Sequence, residues 1–173
     1  MKFRNPTNLP ISIIAVALVT LSLSQFSYAS EIKPGDKQPM PNIRWLDTEE
    51  QTHHLKDTQG KPRLLHFWAA WCFPCRKELP DMLEWKKNNP DILIIPLSLD
   101  ERMAQSKYFI KKYQLSMSAL LVDKNDSDSL DIPALPFTIF VSADGTYSGN
   151  FYGIAPWGNE EFGKKIRQHF KLD

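Results

Sequence analysis

Apolar positions in this chain fall into three kinds of run, and each predicts a different element. The uncharged stretch from Ile11 to Leu23 follows Lys2 and Arg4 and leads to Ser27-Tyr28-Ala29, a small-x-small site, the pattern of a signal peptide cut after Ala29. A bilayer span takes roughly 20 residues, so this shorter run fits a cleaved leader better than a retained anchor. Short apolar blocks come next: Arg63–Trp68 and Ile92–Leu97 read as buried central strands and Ala119–Asp123 as a third, shorter one. Asn42–Leu46 and Gln51–Leu55 alternate around Asp47-Thr48-Glu49-Glu50 and predict a hairpin, and Thr138–Ser142 and Tyr147–Tyr152 predict another across Ala143-Asp144-Gly145-Thr146. Helical spacing marks the third kind. It is carried by Leu79, Met82 and Leu83 between Phe73 and Lys87, where Asn88-Asn89-Pro90 stops the helix. It recurs as Phe109, Ile110 and Tyr113 within 102–113, and as Phe162, Ile166 and Phe170 within 159–170. Residues 30–41, rich in proline and charge, read as an extended lead-in. Strands alternating with helices, closed by a hairpin and a helix, predict a layered α/β or α+β sheet covered on both faces.

Composition narrows the class. At 173 residues, 42% hydrophobic and 24% charged, the chain is one globular domain (30–173) behind a leader (1–29), neither disordered nor a polytopic membrane protein. Lys plus Arg number 21 against 20 Asp plus Glu; without Lys2 and Arg4 the balance is slightly negative. That gives bulk charge no part in binding nucleic acid. With two cysteines, a multi-disulfide scaffold and a four-cysteine zinc site are excluded, and neither cysteine lies near Ala29, where a lipid could be attached. The processed protein is expected outside the cytoplasm, where disulfides persist.

The cysteines sit together as Cys72-Phe73-Pro74-Cys75, at the point where a strand gives way to a helix. In a first helical turn, positions i and i+3 share a face with β-carbons about 5–6 Å apart, close to disulfide geometry. Cys72 would face the free N–H groups and positive end of the helix, with Arg76 and Lys77 adding positive charge, all of which stabilise a thiolate. Cys72 is thus the expected attacker and Cys75, one turn in, the resolving thiol. Competing readings are an inert bridge, two core cysteines, or a copper or zinc half-site. So short a loop constrains the unfolded chain little, and His53, His54, His66 and His169 stand at no metal-motif spacing to the pair, although a dithiol alone can hold Cu(I).

The segment His66-Phe67-Trp68-Ala69-Ala70-Trp71-Cys72-Phe73-Pro74-Cys75-Arg76-Lys77-Glu78-Leu79-Pro80 resembles the active-site stretch of thioredoxin-fold proteins. Pro80 matches the family's helix-kinking proline. Leu135-Pro136-Phe137-Thr138-Ile139-Phe140-Val141 resembles its cis-proline loop and following strand, which implies Pro136 as the cis residue, with Pro133 a competing position. Over residues 34–170 the chain looks most like the secreted TlpA/ResA-like branch. That resemblance implies a thioredoxin fold, a central mixed sheet flanked by helices, with an N-terminal β-hairpin extension and a central insertion. It also implies thiol–disulfide exchange with partner proteins, a membrane electron donor that recharges a reductant, and Glu101, in Ile94–Glu101, as an active-site carboxylate. Glu101 could equally be a surface acid opening the next helix.

Two departures from the family pattern bear on function. His66 stands where cytoplasmic thioredoxins place a buried acid and TlpA-like chains often have asparagine; it could relay protons near neutral pH or be a hydrogen-bonded core residue. Leu135-Pro136-Phe137-Thr138 lacks the acidic residue after the proline, and the Gly-rich lead-in, of dedicated cytochrome c maturation reductants. Trp68 and Trp71 are expected to pack the site, with Trp71 also open to partners, while Phe73, Pro74, Ile132, Leu135 and Pro136 would form an apolar rim for a client segment paired like a strand. His53, His54 and His169 are expected to be solvated. The reading is a monomeric thiol–disulfide oxidoreductase without organic cofactor, metal or nucleic-acid partner. The alternatives are a copper-binding or assembly module, or a disulfide oxidase or isomerase.

Overall fold

The computed structural model describes residues 31–172; the predicted leader over 1–29 lies outside them. Thirteen short elements build one mixed sheet and its covering helices among these residues. The strands are β1 (Lys33–Pro34), β2 (Arg44–Leu46), β3 (Thr52–His54), β4 (Arg63–Trp68), β5 (Leu93–Ser98), β6 (Leu120–Val122), β7 (Phe137–Val141) and β8 (Tyr147–Tyr152). The helices are α1 (Phe73–Asn88), α2 (Met103–Lys112), α3 (Lys124–Asp128) and α4 (Glu160–His169), with a 3-10 turn at Leu55–Thr58. Strand order is β1-β8-β7-β4-β5-β6-β2-β3. The centre β4–β5–β6 is parallel, β7 pairs antiparallel with β4 and β8 antiparallel with β7, and β2 of the β2–β3 hairpin pairs antiparallel with β6. This is the expected thioredoxin fold with an N-terminal hairpin.

β4 is buried along its whole length, and because successive side chains point to opposite faces it divides the core. Leu64 and Trp68 lie on the α1 side with Ile94, Phe140, Leu79 and Met82. Leu65 and Phe67 lie on the other side with Ile95, Leu97, Ile139 and Val141. His66 takes the α1-side parity, and so does its register partner on β7, Thr138. At the start of β4, buried Arg63 donates to the carbonyls of Thr58 and Ser142, so its charge stays at the end of the sheet away from the cysteines.

Two elements depart from the sequence expectation. The lead-in forms β1 against β8, Lys33 opposite Asn150, an edge position that tolerates Pro34 because an edge strand need not donate on its outer side. The segment after β6 forms α3, whose first turn is capped by the Asp123 carboxylate. From α3, Asp126 accepts from the backbone N–H and guanidinium of Arg44 at 2.8–3.0 Å, fastening the hairpin to the central insertion. Among the described residues no helix is long and apolar enough to cross a membrane.

Candidate active site

From the end of β4 the chain turns through Ala69–Trp71 into α1, and Cys72 is the N-cap of that helix with extended dihedrals. Its Sγ accepts the Cys75 N–H at 3.2 Å, so the sulfur already occupies the position where helix N–H groups stabilise negative charge. Cys72 is bonded to Cys75, with Cα atoms 5.4 Å apart. Cys75 is fully enclosed, while Cys72 keeps 3% of its surface. Pro74 occupies the first turn, where a missing N–H costs nothing. On either side of Cys72 the large side chains stand outward: Trp71 is 68% and Phe73 59% exposed. The Arg76 guanidinium lies over Tyr113, Phe73 and Phe109 at 4.9, 5.6 and 5.9 Å, and the Lys77 ammonium over Phe73 at 4.9 Å. Both cations are therefore held at the helix start by aromatic faces.

The carboxylate of this site is one that sequence reading passed over. Glu78 follows Cys75 by three residues, so the helix carries both on its inner face; it is 3% exposed. Its Oε2 accepts the Ala155 N–H at 2.6 Å, and its Oε1 stands 3.2 Å from Nε2 of His66, which is fully buried. His66 Nδ1 lies 3.0 Å from the Thr138 hydroxyl, and the Trp157 indole packs edge-on against the imidazole. Burial pushes the Glu78 carboxyl up to about 8, with the Ala155 N–H and the Trp157 indole pulling the other way. Burial also holds the His66 imidazole down at about 3. Near neutral pH the pair is thus an uncharged ring beside a carboxyl able to take up or release one proton.

Glu101 points away from the core. It is exposed, beside Leu99 and Ile132 on a groove rim, and the buried acid is its neighbour Asp100. The Asp100 carboxylate accepts the Ala70 N–H at 3.0 Å and the hydroxyls of Ser98 and Ser106 at 2.8 and 2.7 Å. It thereby pins the turn that presents Cys72 to the end of β5 and to α2. One residue of offset sends Asp100 inward and Glu101 out.

Leu135 is half-buried between the two core clusters. The Leu135–Pro136 peptide is cis, and the Pro136 carbonyl accepts the Gly153 N–H at 3.0 Å. His169, expected in solvent, instead packs its ring on Phe140 at 5.0 Å and meets Ser148 Oγ at 3.1 Å. His53 is exposed and pairs with Asp47 at 2.7 Å. Among the described residues no group of His, Cys, Asp and Glu side chains is arranged to hold a metal ion.

The model of the AhpC/TSA family matches residues 37–153. Thiol-disulfide oxidoreductase ResA of Bacillus cereus is 32% identical over 139 residues, covering 78% of this chain and 80% of the relative. ResA of Bacillus subtilis is 26% identical over 138 residues, 78% of this chain and 77% of the relative. A solved thiol:disulfide interchange protein of Chlorobium tepidum superposes with a TM-score of 0.66 at 19% identity, over 79% of this chain and 98% of that one; at that identity the likeness speaks for the fold.

Proposed function

Because the chain belongs to the AhpC/TSA family and is a ResA-like thiol–disulfide oxidoreductase of the thioredoxin superfamily, we propose that it works outside the cytoplasm, reducing disulfides of partner proteins through Cys72 and Cys75. The observation that carries this reading is the position of Cys72: N-cap of α1, bonded to Cys75, with Glu78 buried one turn further on the same face.

In the reduced enzyme, the Cys72 thiolate, favoured by the helix N–H groups and the two nearby cations, attacks a client disulfide and displaces one client thiolate. When Glu78 is ionised, Cys75 gives its proton to that carboxylate and attacks Cys72 Sγ, and the second client sulfur leaves as a thiolate that takes a proton from solvent. Two electrons pass to the client, and the Cys72–Cys75 bond remains. Trp71 and Phe73, exposed beside Cys72, and the loop of Leu135 and Pro136 form the rim that receives the client. Asp100 holds the turn, and Glu101 has no part in the chemistry. A membrane electron donor returns the enzyme to the dithiol, which the surrounding compartment would otherwise leave oxidised. The enzyme acts as a monomer and needs no organic cofactor. Residues 1–29 direct export, so the exported protein begins at Ser30, which N-terminal sequencing checks.

The test is trapping. Cys75→Ser accumulates mixed disulfides between Cys72 and clients, and Cys72→Ser accumulates none. Equal trapping by both variants, or none by Cys75→Ser while the wild type exchanges, defeats the division of labour.

A further inference from the structure

His66 Nε2 and Glu78 Oε1 stand 3.2 Å apart in a closed interior, and neither has another hydrogen-bond partner among the described residues. The Trp157 indole N–H favours the ionised carboxyl, and the other valences are committed. Glu78 Oε2 accepts the Ala155 N–H, so a proton on the carboxyl belongs on Oε1. His66 Nδ1 faces the Thr138 hydroxyl, which can donate or accept. Around the ring, α1 brings Glu78, β7 brings Thr138, the segment after β8 brings the Trp157 indole, and β5 places Pro96 as the register partner. Glu78 is the one titratable group that meets His66 among the described residues.

Two arrangements satisfy these atoms. With Glu78 protonated, Oε1–H donates to Nε2, and Nδ1–H donates to Thr138 Oγ1. With Glu78 ionised, Nε2–H donates to Oε1, and the Thr138 hydroxyl donates to Nδ1. Any other distribution of the Glu78 and His66 protons sets two hydrogens against each other or leaves a buried acceptor empty, which is unfavourable inside the core.

We propose that His66 is the positioning residue for Glu78, a neutral imidazole whose tautomer alternates with the protonation of that carboxyl while Thr138 reverses its hydrogen bond. His66 keeps a single proton throughout and moves it between Nε2 and Nδ1. The proton gained by the pair is the one on Glu78, which in turn is the proton Cys75 releases. The inference rests on Glu78 serving as proton acceptor in the exchange, and it explains how that acceptor can change charge inside the core without stranding a partner. The burial that holds the His66 imidazole down at about 3 keeps the ring uncharged in both arrangements.

The test is imidazole 15N NMR of the whole protein from pH 5 to 10, oxidised and reduced. The expected spectrum is an Nδ1–H tautomer at low pH that converts to Nε2–H in step with the Glu78 carboxyl 13C titration, with no imidazolium. Glu78→Gln turns an amide N–H toward Nε2, because its oxygen stays on Ala155 N–H, and fixes the Nδ1–H tautomer at every pH. A tautomer that stays fixed across the range in the wild type, with or without a Glu78 titration, overturns the proposal, as does a charged ring. A wild type that alternates tautomers yet exchanges with no protein disulfide would count against the function and leave the alternation standing.

Discussion

The two faces of β4 make opposite use of the same strand. Toward β2 and the insertion, Leu65 and Phe67 pack in an apolar cluster with Ile95, Leu97 and Val141. Toward α1, Leu64 and Trp68 bracket a histidine, and the helix answers with a disulfide and a glutamate. Burying polar groups costs stability unless they are paired, so the α1 face gives up packing energy that the opposite face keeps. That asymmetry is what the proposed exchange site on the α1 face would require.

The comparison breaks most visibly if the apolar face proves dispensable. Phe67→Ala should cost about 3–5 kcal/mol in urea unfolding of the oxidised protein, while the folded fraction keeps its exchange rate with protein disulfides. On the α1 face the balance reverses. Glu78→Gln should leave the fold intact and slow exchange with a protein disulfide at pH 7 about 100-fold, the usual scale of a lost proton acceptor, as stopped-flow kinetics would show.

A smaller effect sharpens the contrast through pH. Folded protein holds the Glu78 proton up to about 8 against an ordinary 4.5, so stability falls as pH rises through that interval. Folded His66 stays deprotonated down to about 3 against an ordinary 6.5, so stability falls as pH drops through that interval. The slopes oppose each other between 4.5 and 6.5, leaving a plateau with a decline on each side. The alkaline decline from 6.5 to 8 amounts to about 2 kcal/mol, and Glu78→Gln should abolish it and, with nothing left to oppose His66, extend the acid decline up to 6.5. The smallest effect belongs to Arg76: Arg76→Ala loses its place over Tyr113, Phe73 and Phe109 and should cost about 1 kcal/mol, with a modest rise in the Cys72 thiol pKa read by alkylation rate.

Much of this architecture was legible in the sequence because its strands are short and bounded by turn residues: Arg63–Trp68 follows Gly60-Lys61-Pro62, Tyr147–Tyr152 follows Ala143-Asp144-Gly145-Thr146, and both have the same limits in the pattern and in the fold. The cysteine pair was equally plain, since spacing and a helix start suffice to describe it. What stayed hidden depends on contacts across the sheet. Glu78 reads as an ordinary charged position on an amphipathic helix until α1 is docked and His66 is found opposite. Asp100 and Glu101 are adjacent acids whose burial differs only through which of them reaches the Ala70 N–H. His169 sits near the chain's end yet packs on Phe140, because the last turn of α4 lies flat on β7 and β8. β1 escaped notice because its residues, lysine and proline, carry no strand signal of their own and pair only where β8 offers an open edge.

The central claim, a reductant built on Cys72 and Cys75, meets its most direct test in the reduction potential of that couple, measured by equilibrating the purified protein in glutathione buffers and labelling free thiols. The account predicts a value below about −230 mV, that of a dithiol needing a dedicated donor. A value near −120 to −180 mV, the range of oxidases and isomerases, would contradict it.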